Sequence, residues 1–98
     1  MPKFKNPSNL NYEGNYYVEL IPETDVSRLP AVLSVQEDYP TGIITLHIRG
    51  KVQQAMGGIQ MYSHDSPFHY GYKYIRCIRD EKGKLLWVNN NFNEEILK

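Results

Sequence analysis

The chain contains a single cysteine, a single tryptophan, no run of ~18 apolar residues and no excess of either charge. Each shortage removes a class of protein. Cys77 alone cannot form an intrachain disulfide, so a disulfide-stapled secreted scaffold is excluded and a reducing, cytoplasmic setting is expected. The missing apolar run argues against a membrane-spanning helix. The opening residues carry Lys3 and Lys5 but no apolar signal-peptide core, so no export signal is expected. Asn6-Pro7-Ser8 has proline where a glycosylation triplet forbids it. Eleven Lys and Arg offset eleven Asp and Glu, and the pI of about 6.8 lies well below the basic range (above ~9) of dedicated nucleic-acid binders. No C-x-x-C, H-E-x-x-H or phosphate-binding glycine frame occurs, and Gly57-Gly58 is not followed by Lys-Ser or Lys-Thr. Neither a metal nor a cofactor is expected.

What is present is tyrosine: eight, against three phenylalanines, in a chain of 98 residues that is 41% hydrophobic. This length suits one domain. Residues 1–13, with Pro2, Pro7 and several asparagines, read as a flexible arm, and 14–98 as a single β-rich domain. After Gly14, period-two alternation sets Tyr16, Val18 and Leu20 against Tyr17, Glu19 and Ile21, up to Pro22. Residues 23–29 form a connector between prolines, and Ala31–Gln36 a short apolar strand. Pro40 and Gly42 then mark a reversal into a strand with Ile44, Leu46 and Ile48 on one side and Thr45, His47 and Arg49 on the other.

Val52, Ala55, Met56 and Ile59 recur at i, i+3, i+4 and i+7, one face of a short helix that Gly57-Gly58 would end. The competing reading is a Gly-Gly hairpin between strands through Val52 and Ile59–Tyr62; the helix is preferred. Alternation resumes from Phe68 to Arg79, and Asp80-Glu81-Lys82-Gly83 joins that strand to Lys84–Val88 as a hairpin. Asn93 is placed to cap a last turn through Leu97. The expected fold is mainly β: a small five-stranded antiparallel sheet or partly open barrel, with one short helix between strands 3 and 4. From Gly14 to Asn89 this element order resembles an OB-fold, and an SH3-like barrel reads almost the same. The resemblance implies a ligand-binding barrel and rests on element order alone.

Charge is unevenly spread along the chain. From Glu13 to Asp38 six acids (Glu13, Glu19, Glu23, Asp25, Glu37, Asp38) face Arg28 alone; from Tyr39 to Arg79 five bases (Arg49, Lys51, Lys73, Arg76, Arg79) face Asp65 alone. Halves that do not interleave in space would give an acidic and a basic face. On a strand through Arg79, Tyr70, Tyr72, Tyr74 and Arg76 share one side, and Lys73, Ile75, Cys77 and Arg79 the other. The first set, with Arg49, Lys51, Lys73 and Arg79, is the candidate binding surface, since Tyr and Arg are enriched in protein interfaces. The expected function is a small non-enzymatic regulatory module that binds a larger protein partner. The alternative is a single-stranded nucleic-acid binder stacking bases on the tyrosines. A remote third is a His- or metal-dependent enzyme using His47, His64 or His69. Against it, consecutive His64-Asp65-Ser66 cannot align as a triad, and mid-strand burial would leave Cys77 inert. The sequence specifies no oligomeric state.

Overall fold

The computed structural model describes residues 5–27, 32–63 and 66–97. Among these residues seven strands form one antiparallel sheet: β1 (Asn11–Leu20), β2 (Ser34–Glu37), β3 (Ile44–Ala55), β4 (Gly58–Ser63), β5 (Ser66–Gly71), β6 (Ile75–Asp80) and β7 (Leu85–Val88). Their order is β5-β4-β3-β1-β6-β7, with β2 also paired to β3. The two strands with the clearest alternation, β1 and β3, are central. They pair along their whole shared length, from Asn11 opposite Gln53 to Leu20 opposite Ile44. Tyr16, Val18, Leu20, Leu46, Ile48 and Val52 are fully buried on the inner side, with Ile59, Met61, Ile75, Ile78 and Trp87 closing the core. The outer side carries Glu13, Asn15, Tyr17 and Glu19 from β1 and Thr45, His47, Arg49 and Lys51 from β3.

The mainly β class stands, but five strands become seven, for two reasons. The helix expected between strands 3 and 4 is instead a hairpin. Residues up to Ala55 continue β3, Met56-Gly57 turn, and β4 returns with Val52 opposite Met61. Gly57 takes φ 76° in that turn, a conformation costly for other residues. Met56, read as part of the buried helical face, is 98% exposed at the tip. The helix on which the OB resemblance turned is thus replaced by the end of β3 and by β4. The expected strand 68–79 is also divided: β5 ends at Gly71, a 3₁₀ turn occupies Tyr72–Tyr74, and β6 starts at Ile75.

That division shapes the whole sheet. β5 and β6 stand four places apart in the strand order, about 19 Å in a flat sheet at ~4.8 Å per strand. Three residues rising ~2 Å each cannot span this. The sheet must therefore roll so that its β5 side comes round towards β6, and the order still ends at β5 and β7, so it does not close. The 3₁₀ turn is bonded to both sides of the roll: Ile21 N–H donates to Tyr74 C=O (3.0 Å) and Tyr72 N–H to Gly57 C=O (3.3 Å). Gly14 and Gly50 lie opposite each other at φ 145° and 153° in the central strands. The rings of Tyr12 and Tyr16 meet edge to face nearby, the Tyr12 hydroxyl within 3.1 Å of a Cβ placed on Gly14.

Strand β1 takes in Asn11–Glu13 from the segment read as an arm, and Leu10 is buried beside it. The Asn6 side chain bonds both backbone groups of Val88, at 2.7 and 2.8 Å, occupying the edge of β7 as a strand would. The Asp80–Gly83 hairpin forms as expected, with Asp80 N–H donating to Lys84 C=O and the Asp80 carboxylate accepting from Lys82 and Lys84 N–H. At the C-terminus a 3₁₀ turn (Asn90–Phe92) leads into one helical turn, α1 (Asn93–Ile96). The side chain that caps this region is Asn89, accepting from Asn91 N–H, not Asn93.

Candidate binding cleft

The residues expected to form one tyrosine-arginine face are separated by the break at Gly71. Tyr70 lies on β5, half-buried against the core, its hydroxyl donating to Asp25 C=O at 2.7 Å. Burial, and then Asp25, raise its phenol above the ordinary tyrosine range. Tyr72 is in the 3₁₀ turn, stacked on Trp87 (centroids 5.5 Å, planes at 20°), with Gln54 Nε2 donating to its hydroxyl at 2.8 Å. Tyr74 is the most exposed of the three, 36%, with Lys73 Nζ 5.0 Å over its ring. Tyr70 and Tyr72 thus pack against the core, and Tyr74 is exposed.

The cations of β6 are occupied within the fold. Arg76 is the extra residue of a bulge, between Ile75 opposite Leu20 and Cys77 opposite Glu19, so Ile75–Ile78 are all buried despite the alternating sequence. Its guanidinium reaches Glu19 at 3.4 Å and Glu95 at 2.9 Å and lies 4.9 Å over the Phe92 ring, tying α1 to the sheet. Arg79 also pairs with Glu19, at 3.7 Å. The acidic and basic halves therefore interleave, with β1 between β3 and β6. Charge cancels locally around Glu19 and Glu95.

Arg49 and Lys51 differ from these. Both are exposed on the outer side of β3, and no ion pair or side-chain hydrogen bond joins either to another described residue. They line a cleft of about 610 Å³ with Glu13, Gly14, Leu33, Gly50 and Tyr62. The cleft follows from the strand lengths. β3 is long enough for two short neighbours on one side: β2 pairs it from Ile44 to His47 and β4 from Gly50 onward. Between them, Ile48 and Arg49 have no registered strand on that side among the described residues. Leu33, 55% exposed, stands at the β2 end of this gap and Tyr62 at the β4 end. Lys51 has Glu13 opposite it on β1 and Tyr62 opposite it on β4. Gln53 Nε2 donates to the Tyr62 hydroxyl at 3.3 Å, fixing that wall. Sequence reading found the two cations but missed Glu13, Leu33 and Tyr62, because their proximity depends on the pairing of β3 with β1, β2 and β4.

A second hollow of about 340 Å³ at the other end of β3 is lined by Glu19, Gln36, Glu37, Asp38, Ile43 and Thr45. Between the two, Tyr17 stacks on His47 at 4.5 Å and 19°. Among the described residues no three His, Cys, Asp or Glu gather as a metal site; His64 and Asp65 lie outside those residues. Cys77 is fully buried, and burial first, then Glu19, push its thiol up to about 12. No helix among the described residues is long and apolar enough to cross a membrane. No protein-family model matches the chain, nor does any curated protein or solved structure.

Proposed function

We propose that this is a small non-enzymatic binding module, acting in the cytoplasm on a larger protein partner through the Arg49–Lys51 cleft. The observation that carries this reading is the contrast among its cations. Arg76 and Arg79 are neutralised by Glu19 and Glu95, whereas Arg49 and Lys51 have no ion-pair partner among the described residues and lie in a concave site walled by Tyr62 and Leu33. Desolvating Arg49 and Lys51 favours binding only where a partner supplies opposing charge, while exposed Leu33 and the Tyr62 ring offer apolar area. The adjoining strand β2 is exposed at all four residues and, among the described residues, pairs β3 alone, which leaves an edge beside the cleft for strand addition. The single-stranded nucleic-acid alternative draws less support, since Tyr70, Tyr72 and Tyr74 are spread over a strand and a turn and packed on Trp87 and one another.

A photo-crosslinking amino acid at Tyr62, in cells that make the protein, tests the proposal. One discrete covalent protein adduct is expected, lost in the double variant R49E/K51E and retained in K82E on the distal hairpin. An adduct indifferent to R49E/K51E, or none, would overturn the reading.

A further inference from the structure

Resting on that reading, we infer that the cleft recognises an extended peptide segment carrying two carboxylates two residues apart, an acid-x-acid pattern. Arg49 and Lys51 are i and i+2 on one strand, so their side chains leave the same side of the sheet about 6–7 Å apart along it. An extended ligand has the same repeat, and its first and third side chains share one side. Two acidic side chains so placed meet both cations in register; a separation of three would turn one carboxylate away. The middle side chain points out of the cleft and is unrestricted.

Charge selects the ligand further. Glu13 forms the third wall beside Lys51, so among the described residues the site offers two positive positions and one negative. A phosphodiester chain, charged at every unit, sets a phosphate against Glu13, whereas an acid-x-acid segment presents only the two charges that find partners. Lys51 and Arg49 each gain a charge-assisted hydrogen bond, with Arg49 suited to bidentate contact with a carboxylate. The edge of β2 that pairs no described strand lies on the Leu33 side of the cleft, where flanking residues of an extended segment find backbone partners.

Binding is measured by fluorescence anisotropy on the full chain, with the capped peptide Ser-Thr-Asp-Val-Asp-Thr-Ser carrying a neutral dye. Saturable binding is expected, weakening as salt rises. The peptides Ser-Thr-Asn-Val-Asn-Thr-Ser and Ser-Asp-Thr-Val-Asp-Thr-Ser, the second with its acids three apart, are expected to bind at least about tenfold more weakly. R49Q and K51Q each lose about tenfold, and K82Q none. Both cleft substitutions are at exposed positions, and an unchanged melting curve shows that the variants fold. No binding of the Asp-Val-Asp peptide at millimolar concentration, or equal binding of the three-apart peptide, overturns the inference. A ten-nucleotide oligo(dT) that binds more tightly and loses affinity in R49Q and K51Q reassigns the cleft to phosphate and overturns it as well. If the peptide is silent while the Tyr62 adduct still depends on Arg49 and Lys51, the acid-x-acid pattern fails and the binding-module reading survives.

Discussion

Asn89 shows how one polar side chain holds a seam that the core alone does not close. It is buried; its amide donates to Tyr72 C=O at 3.0 Å and Ile75 C=O at 2.9 Å, and its oxygen accepts from Asn91 N–H at 2.9 Å. The residue after β7 thus binds both ends of the turn that carries the chain from β5 to β6. Replacing it with alanine removes three hydrogen bonds, the one to Ile75 C=O buried, and leaves Tyr72 C=O with only its bond from Ile75 N–H. Asn89→Ala is expected to destabilise the protein by about 2–3 kcal/mol, seen as a lower urea midpoint at unchanged slope. An unchanged midpoint would mean that water replaces the amide without cost. The sequence showed Asn89-Asn90-Asn91 only as a break in regularity. Which asparagine turned inward depends on a turn seventeen residues earlier, and no local pattern encodes that.

At the scale of elements, the Gly57-Gly58 pair separates two roles within one hairpin. A Cβ on Gly57 meets nothing within 4 Å, so G57A incurs only the backbone penalty of its positive φ, about 1–2 kcal/mol. A Cβ on Gly58 would lie 2.1 Å from Tyr70 C=O and 2.8 Å from the His69 ring. Backbone there cannot give way without parting β4 from β5. G58A is therefore expected to cost more than G57A, at least about 2–3 kcal/mol, with amide exchange accelerated in β5 ahead of β1 and β3. Equal effects of the two substitutions would show that β5 yields easily. The same hairpin marks how far the sequence could be read. Alternation gave the buried sides of β1 and the first half of β3 because a strand half in water must alternate. Val52 and Ile59 are both buried, but a spacing of seven fits two helical turns as well as two strands and a tight turn. The tyrosines from 70 to 74 alternate through a point where the chain leaves one strand for another four places away, and only non-local pairing reveals the jump. For the cleft, Arg49 and Lys51 were legible as exposed cations on a strand, whereas its walls come from β1, β4 and the residue before β2.

Taken whole, the molecule is a rolled sheet that buries two weak acids, and this fixes its response to alkali. The Cys77 thiol is held up to about 12 by burial and the Glu19 carboxylate, and burial raises the Tyr16 phenol, whose hydroxyl donates to Lys51 C=O at 3.1 Å. Both groups keep their protons in the native state at pH values where the unfolded chain releases them, near pH ~8.5 for cysteine and ~10 for tyrosine. The unfolded state then binds fewer protons than the native one, so stability falls as pH rises through this window, by about 1.4 kcal/mol per unit for each such group. Below pH ~8 both states hold both protons and neither group contributes a slope. The denaturant midpoint is thus expected to be flat with respect to these groups up to about pH 8 and to decline from there to pH 11, more steeply above 10 where Tyr16 joins. Cys77→Val keeps an apolar side chain of similar size in the core and removes the first group. It is expected to flatten the decline between pH 8.5 and 10 while leaving the steeper limb above it. A wild-type midpoint independent of pH across this range, or a decline identical in Cys77→Val, would show that the thiol ionises as readily in the fold as outside it. In that case water reaches the core beneath β1 and β6, and the roll is looser than the fully buried Cys77, Tyr16 and Ile78 require.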